Sequence, residues 1–143
     1  RSRKSAGRVI ADVHIQVNGR ASVSEGHTIG DTVRYRLLQA FPELTDITVH
    51  IDPENDEKVT SPKPLPLREE FEKRLRSYFS NIAQASQIRA INLHYLNGKI
   101  DVELVLPIKM ASENGGQKLV KEFREAAKND PDIGKLSVLF AAE

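Results

Sequence analysis

The chain has 143 residues, a formal net charge of +1 and no cysteine. The missing cysteine excludes disulfides, thiolate metal sites and Cys nucleophiles, and it suits a reducing compartment. Charge is balanced in both halves, without the concentrated basic face that nucleic acid demands; no apolar run approaches the ~20 residues of a membrane span and no signal peptide is visible, so the chain as it stands is expected to be soluble.

Residues 8–17 (RVIADVHIQV) alternate, with Ala11, Val13, Ile15 and Val17 on one face and Asp12, His14 and Gln16 on the other. That period of two predicts a half-buried strand, closed by the turn signal Asn18-Gly19. A helix opened by Ser22 or Ser24 follows, with Ile29, Val33, Leu37 and Phe41 as its apolar stripe. Pro42 stops it. Residues 44–51 predict a second strand, sending Ile47, Val49 and Ile51 inward and Thr48 and His50 outward, with Asp52 continuing the outer face. Between Pro53 and Pro66 the prolines at 62, 64 and 66 mark a semi-rigid linker.

Beyond the linker, Leu67, Phe71, Leu75, Phe79 and Ile82 predict one long amphipathic helix. A strand to Leu96, Asn97-Gly98 and a strand from Lys99 to Leu106 predict a hairpin. Gly115-Gly116 leads into a helix with Leu119, Phe123 and Ala127, and Ile133 to Phe140 is the last strand.

The two halves repeat. DVHIQV from Asp12 and PELTDITVHI from Pro42 align without a gap on DVELVL from Asp101 and PDIGKLSVLF from Pro131, each 89 residues on. One offset kept across a helix-sized interval points to a duplicated supersecondary unit. The expected fold class is α+β: two tandem α-β-β-α-β modules with helices on one side of each sheet. The first module is expected to lack its leading helix and strand, with Arg1 inside the hairpin. The expected division is 1–53, a linker at 54–65, and 66–143. Modules this small have thin cores and lean on each other or on a partner.

Chemistry concentrates in the first copy. His50 and Asp52, two apart on a strand, share a face with His14 on its neighbour, while His27 lies in the first turn of the intervening helix. Imidazole and carboxylate suit zinc and similar first-row divalent ions, although spacing alone is equally that of solvent-facing histidines, and no HExxH-type signature is present. At the aligned positions the second copy has Glu103, Gly116 and Leu139 in place of His14, His27 and His50. His94 has no carboxylate or histidine at a matching spacing and reads as structural or surface. Gly115-Gly116 lacks a GxGxxG or Walker pattern, the basic start RSRK reads as a solvated run, and no nucleophile elbow is present, so nothing assembles an enzyme active site.

RSRKSAGRVIADVHIQVNG, SVSEGHTIGDTV and FPELTDITVHIDP together resemble the cytoplasmic C-terminal dimerisation domain of cation diffusion facilitator (cation efflux) transporters, over roughly residues 1–53. The resemblance implies a metallochaperone-like (ferredoxin-like) α-β-β-α-β fold that forms a homodimer and binds a divalent metal, zinc above all, near the dimer interface. The family's ligand positions fall on His14, His27, His50 and Asp52. It also implies attachment to the transmembrane domain of the same transporter, a place at the cytoplasmic face of the cell membrane, no membrane insertion by this segment and no enzymatic activity. Residues 66–143 keep the periodicity but lose the ligands, and read as a divergent second copy with a structural role. A metal-independent interaction and dimerisation module is the competing reading.

Overall fold

The computed structural model describes residues 1–5, 8–55, 64–111 and 115–142. It divides into two compact units, Arg1–Thr60 and Ser61–Glu143. The stretch of the expected linker from 56 to 63 lies outside the described residues.

The first unit runs β1 (Ser2–Ser5), β2 (Arg8–Gln16), α1 (Val23–Ala40) and β3 (Leu44–Asp52), with β2 central in the sheet order β1-β2-β3. β1 is antiparallel to β2, and β2 is parallel to β3. The strand β1 corrects the expectation that the leading strand is missing. Arg-Ser-Arg-Lys has no apolar alternation and reads as a solvated run, yet the backbone of Ser2–Ser5 pairs with Arg8 to Ala11; strand pairing needs no side-chain pattern. The helix begins where Ser22 Oγ accepts from the Glu25 amide at 3.1 Å, an N-cap that satisfies one orphan N–H. Its predicted stripe of Ile29, Val33 and Leu37 is only half-buried, and Phe41 is exposed. The closest approach to the sheet runs through Gly26 and Gly30 instead. A Cβ on Gly30 would sit 3.0 Å from Ile51 Cδ1, so the helix rests on β3 because no side chain stands between them.

The second unit runs α2 (Arg68–Tyr78), a 3₁₀ turn at Ala83–Gln87, β4 (Ala90–Leu96), β5 (Lys99–Pro107), a 3₁₀ turn at Ile108–Met110, α3 (Gly115–Ala127) and β6 (Ile133–Ala141). β5 is central, antiparallel to β4 and parallel to β6, which completes an α-β-β-α-β module. The helix expected to reach Ile82 ends four residues earlier, at Tyr78, and the apolar residues beyond it belong to a turn. Asn97 and Gly98 have φ of 53° and 68°, as a two-residue type I′ hairpin requires, and they set Leu96 opposite Lys99. Phe71 and Leu75 from α2, Phe79 just past its end, Leu119, Phe123 and Ala127 from α3, and the inward residues of the sheet form one buried cluster. Phe79 and Phe123 meet edge to face at 4.9 Å.

A polar cluster ties α2 to the turn before β6. Arg74 Nη2 donates to Asp132 Oδ2 at 2.9 Å, its Nε lies 3.4 Å from Asp130 Oδ2, and Tyr78 Oη donates to that same Asp130 oxygen at 3.1 Å. Burial alone would lower the Arg74 pKa; the hydrogen bond to Asp132 and both carboxylate charges outweigh it and hold the guanidinium above its ordinary value.

The two units share construction details beyond the aligned segments. In each, a helix arginine donates to the carbonyl of a buried strand residue: Arg34 Nε to Ile47 O at 3.2 Å, and Arg124 Nε to Leu136 O at 3.0 Å. In each, the parallel pair slips register near its start, between Val9 and Ile10 and between Ile100 and Val102. The gap-free alignment is nevertheless two residues out of step on one strand. His14 pairs with His50, whereas Leu139, the counterpart of His50, pairs with Val105 rather than with the aligned Glu103. The crossover between the paired strands is two residues shorter in the second unit, and the unbroken offset conceals it.

Candidate metal centre

The parallel register of β2 and β3 builds this site. It sets His14 directly opposite His50 and Gln16 opposite Asp52. Ile47, Val49 and Ile51 face α1, so the alternating residues Thr48, His50 and Asp52 face away from the helix. The His14 and His50 rings stack with centroids 4.5 Å apart and planes 12° from parallel. His14 Nδ1 lies 2.9 Å from Asp52 Oδ2, a hydrogen bond that joins the two strands through their side chains. Asp12 and Glu54 border the same open groove, with Arg1 at its rim.

When Nδ1 carries the proton it donates to Asp52, and the lone pair of His14 is then left on Nε2. A carboxylate in that position orients a histidine toward a metal rather than binding the metal itself. The near-parallel stack has a second consequence. Imidazole lone pairs lie in the ring plane, so stacked rings send theirs side by side, and one cation shared by both requires a ring to turn. Donor type therefore fits a divalent ion, and sharing one ion between the two rings requires a change of rotamer.

His27 is placed apart from the other three. It is the fifth residue of α1, on the opposite side of the sheet from His14 and His50, with Nε2 3.3 Å from Asp31 Oδ2 one helical turn on. Its side chain is 76% exposed, so it is available to something outside this unit but not to the groove. Among the described residues, no three His, Asp or Glu side chains converge as a ready metal-binding group.

The second unit presents a different surface at the equivalent place. Val105 and Leu139 stand where the first has His14 and His50, and Pro107 and Ala141 where it has Gln16 and Asp52. The reading of His94 as lacking a carboxylate is corrected, however. The hairpin sets His94 opposite Asp101, and Nε2 of His94 lies 3.5 Å from Glu103 Oε2. The signal was in the sequence: a two-residue Asn-Gly hairpin fixes the pairing of every residue on both arms.

Residues 1–54 match the family described as the cytoplasmic domain of cation efflux proteins. These residues form a cation efflux cytoplasmic domain. The chain is also 25% identical, over 154 aligned positions and 96% of its length, to metal tolerance protein C1 of Arabidopsis thaliana. Metal tolerance protein 2 of Oryza sativa subsp. japonica is 37% identical over 51 residues, 36% of this chain. The matches span 32% and 13% of those two proteins. The match to the Arabidopsis protein extends through the second unit as well as the cation efflux domain. No helix among the described residues is long and apolar enough to cross a membrane.

Proposed function

We propose that this chain is the cytoplasmic regulatory and dimerisation part of a divalent-cation efflux transporter, and that its cation efflux domain binds a zinc-type ion to bias the arrangement of a homodimer. The observation that carries the reading is the meeting of His14, His50 and Asp52 on one open sheet face within the residues that match the family. His50 and His14 supply imidazole nitrogen, and Asp52 orients His14 or, after the ring turns, adds an oxygen donor. His27 faces away from this groove, so its part in the reading is to donate from one copy to the groove of another. Two strands and two protomers would then share one ion, and the ion would favour the arrangement in which its donors lie closest. Residues 54–65 act as the linker and 66–143 as a catalytically inert scaffold. The working location is the cytoplasmic face of a membrane, beside the transporter's transmembrane domain.

A second reading rests on the hydrogen bond between His14 and Asp52. That bond and the stack on His50 hold β2 to β3 without metal, as a purely structural interaction module requires. Calorimetric zinc titration with light scattering separates the two. Zinc binding that weakens in both His50→Ala and His27→Ala, together with a zinc-dependent shift from monomer to dimer, supports the sensor. A dimer indifferent to zinc, with no binding heat, supports the structural module.

A further inference from the structure

We propose that Asp12 is a further metal ligand in the groove at His14 and His50, and that it gives the site an oxygen donor of its own. The inference rests on the metal-binding reading above, to which it adds a residue. Zinc sites take three or four protein donors. With Asp52 held by His14 Nδ1 at 2.9 Å, the two imidazoles are the donors left to that groove. Another must come from the same face of the sheet.

Strand geometry selects Asp12. Ala11 is buried opposite Ile47 on the helix side, so Asp12 and His14 alternate onto the other face. Two rises of about 3.3 Å separate Asp12 from His14 along β2, and β3 lies about 4.8 Å to the side. The carboxylate and both rings border one open groove. The main chain of Asp12 is held from both edges: its amide donates to Arg1 O at 2.7 Å, and Thr48 is its register partner on β3. Its carboxylate makes no hydrogen bond or ion pair with a described residue, whereas Asp52 holds His14 and Glu54 has other interactions. The three donors do not converge in the present rotamers; an ion gathers them through the ring turn that the stack already requires. Two imidazole nitrogens with one carboxylate oxygen suit first-row divalent ions, and the oxygen extends the range toward harder ones such as manganese.

The test titrates the full chain with zinc chloride by calorimetry and with cobalt(II) chloride by visible absorption, whose bands report the donor set. The variants are Asp12→Asn, His50→Ala and Glu43→Gln, the last removing the same charge from an exposed residue just before β3. Asp12→Asn should weaken zinc about tenfold or more and alter the cobalt bands, with Glu43→Gln within about twofold of the unaltered chain. Far-UV circular dichroism checks each fold, and Asp12→Ser repeats the test should Asp12→Asn lose its signal. If Asp12→Asn binds zinc unchanged while His50→Ala does not, the metal reading stands and the role of Asp12 is overturned. Weaker zinc binding with unaltered cobalt bands also overturns it, because Asp12 would then act through its charge alone. An unaltered chain that binds no zinc overturns both this inference and the reading beneath it.

Discussion

The two units share one construction but distribute burial and chemistry in opposite ways. In the cation efflux domain, only Ala11 and Ile47 are buried hydrophobic residues among those described. The second unit buries twelve in a single cluster. The residues at the exposed end of the parallel pair reverse the pattern: His14 and His50 in the first become Val105 and Leu139 in the second. A thin core and a polar outer face describe a module whose stability depends on what it binds, because each buried apolar side chain contributes only about 1.5–3 kcal/mol. A thick core with Val105 and Leu139 at that end of the outer face describes a module that holds its own shape. The shared arginine-to-carbonyl bond and register slip belong to the scaffold, while the face opposite the helices has diverged.

The strongest way to break this contrast is to cut into the thick core. Phe123→Ala removes a fully buried ring that meets Phe79 edge to face, and is expected to cost about 3–5 kcal/mol in urea unfolding of the full chain. The same variant should leave zinc affinity at the His14 groove within twofold. A large loss of affinity would show that the groove depends on the second unit's integrity, and the division of labour would fail.

Zinc sharpens the comparison from the other side. A ligand that binds only the folded state adds about 2.7 kcal/mol at a hundredfold excess over Kd. His50→Ala should abolish most of this gain, and Leu139→Ala, its counterpart in the repeat, should lower basal stability without changing the gain. Protons compete with metal for imidazole as pH falls through its ordinary range near ~6.5. The thermal shift should therefore be clear at pH 7.5 and largely gone at pH 5.5. A shift of equal size at both values would point to carboxylate-only binding and remove His14, His27 and His50 as principal ligands.

How much of this was legible in the sequence follows from which signals are local. Alternation fixed both faces of β2 and β3, and the Asn97-Gly98 turn fixed the hairpin, because period and turn chemistry are written in adjacent residues. The strand at Ser2–Ser5 was not legible, since Ser-Arg-Lys-Ser carries no apolar alternation and the pairing is made by the backbone. Nor was the contact of α1 through Gly26 and Gly30: an apolar stripe predicts which side faces the sheet, not that the closest approach falls on residues with no side chain. At the candidate site, the common face of His14, His50 and Asp52 was readable from strand period. The exclusion of His27 from that groove was not, because it depends on which face of the sheet the helix covers. The neighbours of His94 are written across the hairpin, through the Asn97-Gly98 turn, and not along one strand.

The smallest expected effect tests the clamp on α2, which has no counterpart among the described residues of the first unit. Burial and then the hydrogen bond to Asp130 raise the Tyr78 pKa above its ordinary value near 10, because both favour the neutral phenol. Tyr95, also raised first by burial, adds to the effect in the same direction. The folded state thus holds these protons more tightly than the unfolded chain does. Their contribution to stability is fully present below pH ~10 and is lost as pH rises through the folded values. The urea midpoint should accordingly fall above pH 10, and Tyr78→Phe should flatten part of that decline while lowering the midpoint modestly at pH 8 through loss of the bond to Asp130. Tyr35, exposed on α1 of the cation efflux domain, serves as the control: Tyr35→Phe should leave the alkaline decline unchanged. If Tyr35→Phe flattened it as much as Tyr78→Phe, the decline would reflect general charge repulsion rather than the clamp.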